Sequence, residues 1–347
     1  MVTIKDVAKA AGVSPSTVSR VVKDHQGISM DTKRRIRKIM DSMGYSPNIA
    51  ARNLVTNRSF TIGLIIKSAV HEAVLNPFFA EVNYGVSEAC RKEGFSTLMT
   101  SANDDEDLFG EIKDMINSRQ VDGFILLYSK EGDPVAKYLT EINFPYVVIG
   151  KDISNSQDAI YVDNDNVYAS HMITDYLLDE GYSDIRMITD NDIFAVAKDR
   201  IKGFSRALEK RGVSPEGRIL KCRNDSNSVR KVLEEIFSGG SPDVILTLDG
   251  VVNARVVSEL YQGGYRIPED VATVTFNDSP LTEFASPPQT TVDIFPGELG
   301  REAGNEIIDL IRNPDKLKKN IIIPTSIIER QSTKRRMPDE SDGMERV

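Results

Sequence analysis

Tryptophan is absent from the 347 residues, and there are only two cysteines and three histidines. Cys90 and Cys222 lie far apart among apolar neighbours. That spacing offers no metal site and no disulfide framework, and buried, reduced thiols are the expectation. No apolar run approaches the ~18–20 residues needed to span a bilayer. The start, MVTIKDVAKAAG, has no signal-peptide core, so a cytoplasmic protein without a membrane partner is expected. There is also no GxGxxG after a strand, no Walker loop, no HExxH and no GxSxG. His25, His71 and His171 are scattered. These absences argue against an enzyme, a metal and a cofactor.

Charge is abundant but unevenly placed. Residues 1–58 hold eleven Lys/Arg and four Asp/Glu, a balance of +7; the remainder carries thirty-two against forty-eight, a balance of −16. The chain pI near 5.1 conceals this. A small basic module ahead of a large acidic body suits a chain that grips a polyanion with one end only.

Within the module, TIKDVAKAAGVSPSTVSRVV (3–22) reads as two short helices. Thr3 can cap the first, and Ile4, Val7 and Ala8 fall at helical spacing. Gly12 permits the turn; Ser14 offers the next cap, with Pro15 at the first helical position. Val18, Val21 and Val22 form the inner face, leaving Ser16, Thr17, Ser19 and Arg20 on outward or shared faces. This is a helix-turn-helix pattern, whose second helix presents its N-terminal residues to base edges in the major groove. Arg20 is the best candidate for a guanine contact through O6 and N7. Ser29 can cap a third helix with Ile36, Ile39, Met40 and Met43 inward. Lys33, Arg34, Arg37 and Lys38 are expected on its other face, and Gly44 at its end. Residues 45–59, YSPNIAARNLVTNRS, could form a helix too short to stand alone. Two readings stand for Leu54: a wedge between base steps in the minor groove, or a linker residue packed on the body.

These residues resemble the headpiece of LacI/GalR repressors over about fifty positions: TIKDVAKAAGVSPSTVSRVV, then Tyr45-Ser46-Pro47-Asn48 and the Ala-Ala-x-x-Leu of 50–54. The resemblance implies a headpiece over 1–46 and a hinge helix over 47–58 that forms only on DNA. It implies that Leu54 wedges the minor groove beside its dimer mate, and that positions 15 and 16 tune sequence reading. The DNA-facing set is then Thr3, Ser14, Pro15, Ser16, Thr17, Ser19, Arg20, Ser29, Tyr45, Asn48, Ala51 and Leu54.

From Phe60 onward short apolar strands alternate with helical patterns. Strands are expected in FTIGLII, FSTLMTSA, VDGFILLY and YVVIGK, then in AIYVDN, IRMITD, ILKC, DVILTLD and VATVTFN. Helices are expected near 77–93, 106–118, 134–142, 166–180, 198–211, 226–238 and 251–263. Such alternation predicts parallel sheets covered on both faces. A second series opening at AIYVDN implies two similar lobes, with TVDIF as a further strand, Gly297–Ile311 as a helix, and an extended segment broken at Pro324. The expected architecture is a small all-α headpiece plus an α/β body of two doubly wound parallel-sheet lobes. The family resemblance makes that body periplasmic-binding-protein-like, with the tail crossing back over both lobes. Its expected divisions are 59–160 with 291–323, then 161–290 with 324–333, and a disordered charged tail over 334–347.

Ligands of doubly wound sheets bind beyond the carboxyl ends of the strands. Asn76, Phe78, Phe79, Lys151, Asp163, Asn164, Arg200, Asp249, Asn277 and Asp278 fall at such ends, a set suited to a polyol. Each also reads as a turn residue or helix cap; Arg200, in DRIKGF, corresponds to a family effector contact. Leu248 stands where many members of the family have Asn or a small residue, and Asn277 where many have Asp, so one pocket carboxylate is gone. NPFF, TLDGVVNARV and SPPQTTVDI look most like the maltose-repressor branch. The implied function is a homodimeric repressor of carbohydrate-utilisation genes, released from a pseudo-palindromic operator duplex by a small sugar. The alternatives are a regulator tightened on DNA by a sugar phosphate or phosphoprotein, and a carbohydrate-processing enzyme with a DNA-binding appendage.

Overall fold

A computed structural model describes residues 2–22, 24–45, 53, 58–67, 75–102, 104–153, 158–189 and 194–334. The hinge positions Asn48, Ala51 and Leu54, His71, and the tail from 335 lie outside the described residues. The chain divides into two compact units, Met1–Ser59 and Phe60–Val347.

The first unit holds α1 (Ile4–Ala11), α2 (Pro15–Val22) and α3 (Met30–Ser42). Thr3 and Asp6 form a capping box at the start of α1. Gly12 ends that helix at φ 63, a left-handed conformation that costs a glycine little. The Ser14 hydroxyl accepts the Thr17 N–H at 3.2 Å, capping α2 as its sequence predicts. Val7, Ala8, Ala11, Val18, Val21 and Ile36 make a closed core, with Ile39, Met40, Met43 and Tyr45 packed against it.

The second unit contains two six-stranded sheets. The first is ordered β2 (Ser96–Met99), β1 (Thr61–Ile65), β3 (Gly123–Leu126), β4 (Tyr146–Ile149), β5 (Ile160–Asn164) and β11 (Asn320–Ile323), all parallel. The second is ordered β7 (Ile219–Lys221), β6 (Ile185–Thr189), β8 (Val244–Thr247), β9 (Ala272–Phe276), β10 (Thr290–Asp293) and β12 (Ser326–Ile328), parallel except for β12. The helices are α4 (Pro77–Lys92), α5 (Asp105–Asn117), α6 (Pro134–Glu141), α7 (Asn166–Asp179), α8 (Ala195–Lys210), α9 (Ser226–Ser238), α10 (Gly250–Gln262), the short α11 (Pro280–Glu283) and α12 (Pro296–Arg312). Central strands such as β3, β4 and β8 are buried at every residue.

Two expected divisions shift. The strand expected to open the second series, Ile160–Asn164, instead lies beside β4 and β11 in the first sheet. Residues 290–293, expected to begin a return to the first lobe, pair with β9 and β12 in the second sheet. Both strands are apolar and short, so local pattern could not say which sheet takes them. The chain therefore passes between lobes after β5, after β10 and after β11. Helix α8 also begins at Ala195, ahead of the expected 198, because its N-cap Phe194 supplies no side-chain capping signal.

Six strand-to-helix loops end in an Asx residue that caps the next helix: Asn76, Asp104, Asp133, Asp165, Asp225 and Asp249. This local chemistry stops each strand and aims the following helix N-terminus at the strand ends. Behind the first sheet, α4 and α12 cross closely. A Cβ on Gly85 would lie 2.0 Å from the Gly297 carbonyl oxygen, so only glycine fits there.

Candidate DNA interface and effector cleft

On the headpiece, Pro15, Ser16 and Arg20 are exposed at one face of α2, while Thr17 and Ser19 are half-buried. The Ser14 hydroxyl lies 2.8 Å from that of Ser16 and 2.9 Å from that of Thr17. These hydroxyls therefore hydrogen-bond one another at the exposed start of α2. Ser29 caps α3 by accepting the Thr32 N–H, a role separate from any contact with DNA. Tyr45 packs on the headpiece core. The basic face of α3 differs from expectation. Lys33 is buried, donating to the Asp24 carbonyl at 2.9 Å and pairing with its carboxylate at 3.1 Å, and Arg37 joins the same carboxylate. Those two partners hold the Asp24 carboxyl below its ordinary range. Lys33 therefore ties α3 to the preceding loop; Arg34 and Lys38 remain exposed.

In the body, the residues that end β5, β8 and β9 converge on one arginine. Arg200, on α8, is only 4% exposed. Its Nε donates to Asn166 Oδ1 at 3.1 Å and its Nη1 to the Leu248 carbonyl at 2.6 Å. The guanidinium lies over the Phe276 ring, 4.0 Å from its centroid. Asn166 in turn donates to Asp163 at 3.1 Å. Burial pushes the Asp163 carboxyl up to about 7; the Asn164 N–H and Arg200 oppose that rise, and Asp199 adds to it. Asn277 follows β9 at φ 68, with its Oδ1 buried and unpartnered. Ser279 and Thr282 form a capping box at the start of α11.

Other expected residues have structural work of their own. Asp249 caps α10 through the Val251 and Val252 N–H groups, and Asn76 donates to it across the cleft at 3.1 Å. Asn164 is buried and donates to the carbonyls of Ile294 and Ile323 at 3.1 and 2.9 Å, fastening two interlobe crossings. Asp278 receives Arg330 bidentately, at 2.6 and 3.1 Å, as well as Thr291 and Thr282. Those donors hold its carboxyl low against the opposing effect of burial. Phe78 and Phe79 meet edge to face at 5.3 Å and lean on the core. Lys151 is held by Asp199. Sequence reasoning missed Asn166 and Phe276; an Asn opening a helix after an Asp-rich strand end was the available signal.

Among the described residues no cluster of His, Cys, Asp or Glu could hold a metal ion. No helix there is long and apolar enough to cross a membrane. Residues 3–48 match the bacterial regulatory proteins of the lacI family, and 174–333 match the periplasmic binding protein-like domain. The HTH-type transcriptional regulator MalR of Staphylococcus xylosus is 41% identical over 96% of this chain and 98% of its own length. The chain belongs to the LacI family of transcriptional regulators. It is a DNA-binding transcriptional regulator. Among solved structures, a probable maltose operon repressor malR from Staphylococcus is 36% identical, at TM-score 0.76, covering 81% of this chain and all of that one. A CelR–cellobiose complex is 25% identical at TM-score 0.74, covering 96% of this chain and all of that one. Family membership accounts for the headpiece and the two-lobed body together.

Proposed function

We propose that this regulator is a repressor of carbohydrate-utilisation genes, released from its operator by a neutral sugar of the maltose type bound between the lobes. The observation that carries the reading is the hydrogen-bonded Asp163–Asn166–Arg200 chain, with the buried, unpartnered Asn277 Oδ1 at the end of β9. Carboxylate, amide and guanidinium groups exchange hydrogen bonds with hydroxyls in both directions. The name of the S. xylosus relative and the cellobiose in the CelR complex support a disaccharide.

Co-repression by a sugar phosphate is the second reading. A phosphate needs a cation with donors to spare. Lys151 is neutralised by Asp199, and Arg200 is buried with Asp163 as a neighbour, so the site offers a phosphate no excess of positive charge. A neutral guest is therefore favoured.

The protein would act as a homodimer on a pseudo-palindrome, since a twofold protein reads a twofold site. The exposed Tyr84, Leu98 and Met99 of the first lobe and Leu281 and Phe284 of the second are apolar groups suited to such pairing. The DNA-facing residues of α2 would read bases, and the segment 47–58, with Leu54, would form the hinge. Anisotropy of a labelled operator duplex, titrated with and without maltose and with glucose 6-phosphate, tests the reading. Release by maltose alone is expected; tighter binding with the phosphate would reverse it.

A further inference from the structure

The lobes also touch through the residues that immediately precede Arg200. Phe194 forms a one-residue antiparallel bridge with Lys130, and the Ala195 N–H donates to the Ser129 carbonyl at 3.2 Å. The Phe194 ring, from the second lobe, packs on the first lobe's core cluster, with its centroid 6.5 Å from that of Tyr128. One turn later Asp199 receives the Lys151 ammonium on both oxygens, at 3.0 and 2.9 Å. The Ser129 hydroxyl holds the Lys151 carbonyl at 2.6 Å, and Lys198 faces Glu131 at 3.8 Å.

We propose that Phe194 and Asp199, with Ser129 and Lys151, form a clasp that holds the first lobe against the start of α8 and thereby sets the cleft's affinity for its guest. Lys151 is then a positioning residue that acts through Asp199, with no contact of its own to ligand. The inference rests on the cleft being the effector site. Its physical basis is the division of labour along six residues. The backbone bridge fixes register, the Phe194 ring supplies apolar contact, and the ion pair closes the outer edge. Arg200 follows Asp199 directly, so opening the clasp moves the guanidinium and the first lobe apart. A guest bound between them must hold the clasp shut, and whatever weakens the clasp is subtracted from the guest's affinity. Asp199 is 15% exposed and Lys151 47%, so the pair is partly screened. Its loss should weaken the guest about fivefold, the change that roughly 1 kcal/mol makes in an equilibrium. All guests should weaken alike, because no contact to any of them is removed.

The test uses the full chain with Lys151→Asp, Asp199→Lys and the double swap, and Lys151→Gln as a milder variant that leaves α8 untouched. Hydrogen exchange of the Ala195 amide is measured without ligand, and maltose and cellobiose affinities by calorimetry. Each single variant is expected to speed exchange and to weaken both sugars about equally, with the swap restoring protection and affinity. Unchanged exchange in Lys151→Gln would overturn the clasp, as would a swap no better than Lys151→Asp alone, or a loss confined to one sugar. If neither sugar binds the wild-type protein, the effector reading fails, while the exchange comparison still decides the clasp.

Discussion

Replacing Arg200 with alanine should separate effector response from DNA binding. The side chain is almost wholly buried, so its removal leaves the Leu248 carbonyl and Asn166 Oδ1 without their donor. Each stranded acceptor costs about 1–3 kcal/mol. Loss of the cation over Phe276 adds about 1–2 kcal/mol. Water entering the vacated space offsets part of this, so a net loss of about 3–5 kcal/mol is expected. A domain typically holds about 5–15 kcal/mol, so the variant should fold with a lower urea midpoint, read by circular dichroism. Tryptophan fluorescence is not an option in a chain without tryptophan. The headpiece has its own core, so operator affinity without sugar should stay within about twofold, less than 0.5 kcal/mol. Release by maltose should disappear. Arg200→Lys, keeping the charge but not the fork, should fall between. An Arg200→Ala protein within about 1 kcal/mol of wild-type stability that still releases operator on maltose would refute both the energetics and the role.

Three further outcomes follow from named contacts. Asp163 keeps its proton to about pH 7 in the fold, against an ordinary 3.8. Its contribution is fully present below about pH 4 and is lost as pH rises to 7, by at most a few kcal/mol. Urea titrations should therefore show Asp163→Asn gaining on wild type between pH 4.5 and 7.5, and a pH-independent difference would exclude the shift. Gly85→Ala places a methyl against the Gly297 carbonyl, so thermal unfolding should show a loss of about 3 kcal/mol or more; an unchanged melting temperature would mean the helices can part freely. Leu54→Ala should weaken operator binding at least tenfold, about 1.4 kcal/mol, with sugar affinity intact by calorimetry; equal operator affinity would remove the wedge.

Much of the molecule was legible because its signals are local. The caps at Thr3, Ser14 and Ser29 and the left-handed Gly12 mark the headpiece helices within a few residues. The Asx caps do the same for the body helices, and α8, which lacks one, is the helix whose start was misjudged. The polyol-binding set is harder to read, because a carboxylate at a strand end is equally a cap or a ligand. Asp249 and Asp278 turn out to be held by backbone and by Arg330, respectively.

Periodicity and turn chemistry, acting over a few residues, were enough to predict two kinds of unit, their alternating elements and the charge division near residue 58. Which sheet receives Ile160–Asn164 and Thr290–Asp293 depends on partners far away in sequence, as do the fastening of Asn164 to Ile294 and Ile323 and the passage of Phe194 into the opposite lobe's core. Such pairings are chosen by the burial and hydrogen-bond satisfaction of the whole assembled lobe, and no window of local sequence contains both halves of the choice.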